Sequence, residues 1–285
     1  MEVFKMTEQY LTPEQITAYG LWLRREEHAP GTVEKYLRDI RAFAAWLDGR
    51  PVTRELAAEW KVHLLATGHV PGTVNSMLAA LNSLFRFLGW DIRVKFLKIQ
   101  RRMFRDQSRE LTRKEYDLLV STARAEGKER LALLMETICA TGVRVSEVKY
   151  LTVEAARQGR TEIALKGKIR VILLTGKLCR KLLKYARKNK IASGEIFITR
   201  SGKGMSRRQI WAEMKGLCRA AGVAPEKVYP HNLRHLFARI FYKSCKDIAR
   251  LADVLGHSSI ETTRIYLLTT GAEHTRQLER LGLVS

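Results

Sequence analysis

The chain has 285 residues, long enough for two domains, and its hydrophobic content of 46% is typical of a folded protein. It contains no apolar run that could cross a membrane and no signal peptide, and its four scattered cysteines argue against a zinc site and against a disulfide framework. The charge is more informative: 51 Lys and Arg against 29 Asp and Glu give +22, which indicates a polyanionic partner. We therefore expect a protein of the reducing cytoplasm that binds nucleic acid.

The first ninety residues are predicted to be helical. Thr12-Pro13-Glu14-Gln15 is a capping box with proline at the first helical position, followed by a helix to Arg25. The string Pro-Gly-Thr-Val occurs at 30–33 and again at 71–74, each time before apolar residues at helical spacing, and a further helix fits 55–65. These patterns predict an antiparallel helical bundle.

The charge changes after this bundle. Residues 1–90 carry ten basic and ten acidic side chains, so the whole excess lies in 91–285. Residues 91–110 hold seven basic side chains with poor helical periodicity, which indicates a connector lying along a polyanion. We predict a helical domain over 1–92, a basic linker over 93–110 and a second domain over 111–285.

The second domain is also predicted to be mostly helical. A capping box at Thr112 begins a helix, and Ser206 caps another that ends near Gly222. Residues 161–174 form the one interruption, because they are typical of two short strands around a Lys-Gly-Lys turn. The predicted fold class is therefore mainly α, with a small β-hairpin in the second domain.

No metal motif, glycine-rich phosphate loop or serine-type triad occurs, so the candidate chemistry rests on dispersed cations and one tyrosine. Arg144 follows a glycine where a helix could start, and His231 and Arg234 are spaced to share one helical face. His257 lies in a tight turn after Gly256, and a capping box at Ser258 is predicted to begin a helix that carries Tyr266. Each element alone is weak, since a surface arginine or a core tyrosine explains it equally well.

Together, their order and spacing resemble the tyrosine recombinase family, also called the phage integrase family. The resemblance rests on Thr-Gly-x-Arg-x-Ser-Glu at 141–147, a lysine-bearing hairpin, His-x-Leu-Arg-His at 231–235, Leu-Gly-His at 255–257 and a tyrosine nine residues later. It covers nearly the whole chain, because residues 12–90 are similar to the family's SAM-like helical domain that clamps DNA. With no arm-binding domain before residue 12, the chain resembles the compact two-domain Xer-like recombinases and transposon integrases.

The resemblance implies that Tyr266 attacks a DNA phosphodiester and forms a 3′-phosphotyrosyl link. It also implies that Arg144, Arg234 and His257 donate to the phosphate and that His231 is the general acid/base. Arginine suits this work because its planar fork binds phosphate bidentately and stays charged. Glu147 is expected to support Arg144. No metal or other cofactor is expected.

The hairpin departs from the family pattern. The family's lysine precedes a glycine and protonates the leaving oxygen, which points to Lys166, but the loop is short and Lys168 is an alternative. Ile172 stands where proline is common, and Leu268 where a second histidine often follows the tyrosine.

The expected partners are duplex DNA with an inverted-repeat site and further copies of this chain, as a tetramer on DNA and a monomer when free. Two alternatives stay open: a type IB topoisomerase with the same chemistry, and a silent DNA-binding protein of the same fold. The target sequence, any accessory protein, and the choice between chromosome-dimer resolution and mobile-element integration are also open. Residues 273–285 carry Leu278, Leu281 and Val284 at helical spacing, so this tail is expected to dock, either in cis or in trans.

Overall fold

The computed structural model describes residues 8–99, 107–165, 168–267, 275–276 and 279–281. The chain divides into two compact units, residues 1–101 and 102–285. Within the described residues the fold is helical apart from one two-stranded sheet and isolated bridges, which confirms the predicted fold class. No described helix is both long and apolar enough to span a membrane.

The first unit consists of helices around an aromatic-rich core. The predicted capping box is present: Thr12 Oγ1 accepts a hydrogen bond from the Gln15 amide at 3.3 Å, and Gln15 Oε1 accepts one from the Thr12 amide at 3.0 Å. Both Pro-Gly-Thr-Val strings begin helices, as predicted, because proline at the first position has the helical φ and needs no donor. The helices are α1 (Pro13–Arg25), α2 (Pro30–Leu47), α3 (Arg54–Ala66) and α4 (Pro71–Phe87).

The beginning of the basic segment 91–110 is bonded to this unit. The side-chain amide of Asn82 pairs with the backbone N–H and C=O of Val94, both at 2.9 Å, and Asn75 pairs in the same way with Leu97 at 2.8 and 2.9 Å. Val94 is buried in the core of the unit. Residues 94–97 therefore pack on α4 as part of the first unit, whereas 100–106 lie outside the described residues.

The second unit is built around a buried central helix, α6, which contacts helices on several sides. The predicted capping box at Thr112 is present. The elements are α5 (Arg113–Ala125), α6 (Glu129–Thr141), α7 (Val153–Gln158), β1 (Arg160–Leu165), β2 (Lys168–Leu173), α8 (Gly176–Lys188), α9 (Arg207–Lys215), α10 (Cys218–Ala221), α11 (Pro230–Cys245), α12 (Ile248–Leu255) and α13 (Ile260–Arg264), with 3-10 turns at Gln107–Arg109, Val145–Tyr150, Pro225–Lys227 and Ile265–Leu267.

The predicted hairpin forms, with β1 and β2 antiparallel and Arg160 opposite Leu173 at one end and Leu165 opposite Lys168 at the other. The prediction of one continuous helix from Ser206 to near Gly222 is wrong, because the structure has two helices there. The helix breaks after α9, where Gly216 lowers helix propensity, and resumes as the single turn α10 before Gly222 ends it in the left-handed conformation.

Candidate active site

Four chain segments meet beside the C-terminal end of α6. Gly142 ends this helix with φ +64°, and a Cβ there would lie 2.5 Å from the Phe237 ring, so only glycine fits. The chain then enters the 3-10 turn that follows Arg144. The sequence predicted Arg144 at a helix start, and the helix is of the 3-10 type.

Arg144 and Arg170 share one buried carboxylate. Glu147 Oε1 accepts from Arg144 Nη1 at 2.8 Å, and Glu147 Oε2 accepts from the Arg144 backbone amide and from Arg170 Nη1, each at 2.8 Å. The Glu147 side chain is only 1% exposed, whereas that of Arg144 is 38% exposed. The expected support of Arg144 by Glu147 is thus present, and the Arg144 guanidinium is left open to a ligand.

Opposing effects set the pKa of Glu147. Burial raises it, but hydrogen bonds from Arg144 and the charges of Arg170 and Arg144 outweigh burial, so the pKa is below its ordinary value. Arg170 also donates from Nη2 to the Val254 carbonyl at 2.9 Å. Arg170 therefore ties the β-hairpin to Glu147 and to the end of α12.

Arg234 is the most deeply buried cation of the group, at 1% exposed. It donates from Nη1 to the Gly142 carbonyl and from Nη2 to the Leu255 carbonyl at 2.7 Å. Both carbonyls lie at helix C-termini, where the helix dipole favours a cation. Burial and the charge of Arg144 lower the pKa of Arg234 to about 10, with Tyr266 acting in the opposite direction, so the guanidinium stays charged at neutral pH.

The turn after α12 orients His257. Gly256 takes φ +62°, and the His257 amide bonds back to the Ala252 carbonyl at 3.0 Å, as in a Schellman motif. Because the motif uses these residues to reverse the chain, the next helix starts later than predicted. Its cap is Ser259, whose hydroxyl accepts from the Glu261 amide, and the prediction of Ser258 is wrong.

Two contacts fix the tautomer of His257. Its Nε2 lies 2.9 Å from Arg234 Nη2, which can only donate, so Nε2 is the acceptor. Its Nδ1 then carries the proton and donates to Thr263 Oγ1 at 2.8 Å. Burial and the charges of Arg234 and Arg144 lower the pKa of His257 to about 4, consistent with a neutral ring.

Tyr266 lies on the 3-10 turn after α13, not within a helix as predicted, because α13 ends at Arg264. Its side chain is 6% exposed and is surrounded by histidines. The His257 ring stacks on it with centroids 5.6 Å apart, the His235 ring meets it edge-on at 4.4 Å, and the His231 ring lies at 6.1 Å.

The other two histidines are held neutral by the same kind of surroundings. Loss of solvent and the charges of Arg234 and Arg144 lower the pKa of His231, although this residue keeps an exposed surface. Burial, His231 and Arg239 lower the pKa of His235 to about 3. A neutral imidazole at pH 7 is able to accept a proton.

Five of the six residues predicted from the sequence therefore meet at one place: Arg144, His231, Arg234, His257 and Tyr266. Lys166 lies outside the described residues, and only the backbone of Lys168 is described. The sequence interpretation missed the part played by His235 and Thr263 and assigned no role to Arg170. The spacing of His235, four residues after His231 on one helix, was the available signal for it.

Residues 109–272 match the model of the phage integrase family, and residues 16–91 match that of the phage integrase N-terminal SAM-like domain. Tyrosine recombinase XerD of Brucella melitensis is 33% identical over 84% of this chain and 86% of its own length. Tyrosine recombinase XerC of Roseiflexus castenholzii is 30% identical over 92% of this chain and 91% of its own length.

Solved structures have the same fold. A lambda integrase dimer bound to a COC′ core site aligns with a TM-score of 0.73 at 18% identity, covering 90% of this chain and 95% of that one. The Tn1549 transposon integrase in complex with transposon right end DNA aligns with a TM-score of 0.71 at 17% identity, covering 94% and 99%. Because the phage integrase family model matches more than half of this chain, the chain belongs to that family, the tyrosine recombinases.

Proposed function

We propose that this tyrosine recombinase cuts and rejoins duplex DNA at a specific site, with Tyr266 as the nucleophile. One observation carries the proposal: a buried arginine fork, three neutral histidines and a tyrosine, from chain segments far apart in sequence, lie in contact around one point. A tyrosine that only fills a hydrophobic core does not require a cation and neutral histidines around it. A tyrosine that attacks a phosphate requires both, because its phenol must lose a proton and the phosphate must be bound by a cation.

The arginines suit a phosphoryl transition state. As the phenol oxygen attacks, negative charge grows on the non-bridging phosphate oxygens, and donors held in place before the reaction stabilise that charge by about 3 kcal/mol each. Arg234 is fixed by two helix ends, and its buried Nε has no hydrogen-bond partner among the described residues. An unpaired buried donor is costly until it meets an acceptor such as a phosphate oxygen.

Two proton transfers complete the cleavage. His231, neutral and partly exposed, accepts the proton of the Tyr266 hydroxyl. His257 donates a hydrogen bond to the phosphate once Arg234 Nη2 turns from Nε2 to the phosphate and Nε2 takes up a proton, a change that the phosphate favours because a nearby anion raises a histidine pKa. Lys166 protonates the leaving 5′ oxygen, and Lys168, at the start of β2, is its alternative.

Rejoining is the reverse reaction. The 3′-phosphotyrosyl bond keeps the energy of the broken phosphodiester, so a 5′ hydroxyl attacks it without ATP. The leaving group is then the Tyr266 phenolate, which His231 reprotonates. The roles of the two proton carriers are thus exchanged between cleavage and rejoining.

The comparisons support DNA as the substrate and an assembly as the working form. The lambda integrase relative is a dimer bound to a core site, and XerH is bound to its difH substrate. By analogy we propose an inverted-repeat site bound by a tetramer of this chain. We place the protein in the cytoplasm with its DNA, an assignment that its four free cysteines support.

The proposal is tested with Tyr266→Phe, which removes one oxygen. A site is first selected from random duplex DNA by binding, and a nick beside the cleavage position then traps the covalent intermediate. We expect Tyr266→Phe to bind DNA as the wild type does and to form no covalent adduct. Tyr242→Phe, in the same small hydrophobic cluster, is the matched control and should form adducts normally.

The same preparation separates the alternative functions. Plasmid relaxation at equal rate on any sequence would indicate a topoisomerase, and reaction only at one inverted repeat would indicate a recombinase. Binding without covalent adducts in the wild type would indicate a silent DNA-binding protein. An adduct formed by Tyr266→Phe would refute the assignment of the nucleophile.

A further inference from the structure

Helix α8 has a basic face that the proposed chemistry does not use. It contains no acidic residue and six cations: Lys177, Arg180, Lys181, Lys184, Arg187 and Lys188. At 3.6 residues per turn these six side chains fall within an arc of about 120°. The opposite side of the helix, with Leu178, Leu182 and Ala186, is buried in the core.

The cations of this face are largely unpaired. Lys181 binds Glu136 at 2.8 Å, but none of the other five makes an ion pair with any residue that the structure describes. Like charges three and four residues apart repel and destabilise a helix by a few tenths of a kcal/mol per pair. This repulsion is small, and an anionic partner bound along the face would relieve it.

The charge continues across a neighbouring cleft of about 600 Å³. Lys184 and Lys188 line it from α8, and Lys128 and Arg200 line it from other segments. Of its three acidic residues, Glu136 lies 2.6 Å from Arg124 and Glu213 lies 2.6 Å from Arg130, whereas Glu129 makes no ion pair with a described residue. Lys128 is paired with Glu126 at 2.7 Å. The cleft therefore has three cations without an ion pair among the described residues, Lys184, Lys188 and Arg200, against the single carboxylate of Glu129.

The cleft is separated from Tyr266, whereas the start of α8 is nearer to it, because Lys177 and Lys181 line a pocket with Phe237 and Phe241, which pack in the cluster that contains Tyr266. The cleft lies along the first half of α6, between Glu129 and Glu136, whereas the candidate active site lies beyond its last residue, Thr141. At 1.5 Å per residue, Thr141 lies about 18 Å along the helix from Glu129 and about 7.5 Å from Glu136, the two ends of the cleft on α6. Likewise α8 follows the Leu173 end of β2, which is the opposite end of this strand from Lys168.

We propose that α8 and its cleft bind the backbone of a second segment of duplex DNA, outside the segment held at Tyr266. The face is about 17 Å long, a distance over which a duplex presents about ten phosphate charges. Flexible, exposed lysines and arginines suit contacts that are independent of base sequence. The inference rests on the proposed function, since it takes DNA to be the polyanion that this protein meets.

The test uses the full chain with four neutralising substitutions: Lys177→Gln, Arg180→Gln, Lys184→Gln and Arg187→Gln. The control neutralises four exposed cations on four different helices: Lys114→Gln, Arg157→Gln, Arg219→Gln and Lys243→Gln. Each protein is saturated with a short duplex containing the selected site, and a longer labelled duplex without the site is then titrated. Repeating the titration over a range of salt gives the number of phosphate contacts.

We expect the α8 variant to bind the short duplex normally and to bind the second duplex at least tenfold more weakly. Its slope of log affinity against log salt should fall by about 3.6, at roughly 0.9 for each of four lost phosphate contacts. The control should keep both properties of the wild type. The α8 variant should also melt no lower than the wild type at low salt, because its substitutions relieve repulsion.

Several outcomes would overturn the inference. One is an unchanged affinity of the α8 variant for the second duplex; another is an equal loss in the control. Loss of binding to phosphatidylserine vesicles with unchanged DNA binding would assign the face to a membrane instead. Covalent adducts through Tyr266 should form in the α8 variant as they do in the wild type. If the wild type itself forms no adduct, the result contradicts the proposed function and leaves the second DNA contact to be judged from the titration.

Discussion

The second unit holds its positive charge in two different ways. At the candidate active site, Arg144, Arg170 and Arg234 are each fixed by a carboxylate or by backbone carbonyls. On α8 the cations are exposed, and all but Lys181 lack an ion pair within the described part of the chain. The same residue types thus occur once as a hydrogen-bonded cluster and once as an exposed surface with few ion pairs.

The difference teaches what each arrangement is suited to do. A fixed guanidinium loses no freedom when charge develops on a phosphate, so its effect is on the transition state. A flexible lysine in water gains affinity mainly by releasing counterions, so its effect is on binding and depends on salt. Substitutions at the first set should therefore change rates, and substitutions at the second should change affinities.

The largest effect is expected from comparing the same Arg→Lys substitution at the candidate active site and on α8. Arg234→Lys keeps the charge but loses the planar fork that reaches two carbonyls, so cleavage of the nicked substrate should slow by about 10²–10³-fold. Arg180→Lys, on α8, should leave the single-turnover rate unchanged. Equal effects of the two substitutions would remove the distinction between the regions.

The second prediction decides which hairpin lysine is the acid. Lys166→Ala should slow cleavage by about 100-fold, the usual size of a general-acid effect. A substrate with sulfur in place of the bridging 5′ oxygen should restore the rate, because a thiolate leaves without a proton. Lys168→Ala should be milder and show no rescue. The reverse pattern would assign the acid to Lys168, and rescue of neither variant would exclude the hairpin from this step.

The third prediction concerns the carboxylate shared by two arginines. Glu147→Gln and Arg170→Gln should each slow cleavage by about tenfold and lower the stability by about 3 kcal/mol, the usual cost of breaking a buried ion pair. The double variant should be less destabilised than the sum of the two, because both changes disrupt one contact. Lys184→Gln on α8 is the control and should leave the melting temperature unchanged. Additive losses would show that Glu147 and Arg170 act independently.

The smallest effect is on the pH dependence of stability. Unfolded chains protonate histidine near pH 6.5, whereas the folded protein protonates His257 only at about pH 4 and His235 at about pH 3. As the pH falls from 7 towards 4, the unfolded state gains protons first, so the folded state loses stability.

Allowing for the partial exposure of the ring, we expect His235 to contribute a loss of about 1 kcal/mol at pH 5, or roughly 2–4 °C in melting temperature. His235→Gln should reduce the fall between pH 7 and pH 5. The measurement is a series of thermal melts of both proteins in that range. An identical pH dependence for the two would mean that His235 titrates normally in the folded chain.

Most of the fold could be predicted from the sequence because its signals are local. Thr12 and Thr112 begin helices with capping boxes, and the repeated Pro-Gly-Thr-Val begins two more. Each depends on a few neighbouring residues. The start of α13 was misplaced by one residue because the end of α12 is a Schellman motif, whose conformation does not follow from composition.

The site could be predicted only in part, for the same reason. Order and spacing predicted Arg144, His231, Arg234, His257 and Tyr266, which the fold brings together. No local pattern indicates that Arg170 bonds to Glu147 across 23 residues, and the spacing of His235 from His231 places both on one helix face without showing that His235 packs on Tyr266. Such contacts depend on tertiary packing. The basic excess of residues 91–285 was visible as composition, but its concentration on one face of α8 became apparent only with the fold.

The central claim is that Tyr266, and no other residue, becomes bonded to DNA. The direct measurement is to trap the adduct on the nicked substrate, digest protein and DNA, and locate the remaining nucleotide by mass spectrometry. We predict a 3′-phosphonucleotide on Tyr266, in the tryptic peptide that begins at Ile265. A nucleotide on any of the other eight tyrosines, or on a serine or histidine, would contradict the account.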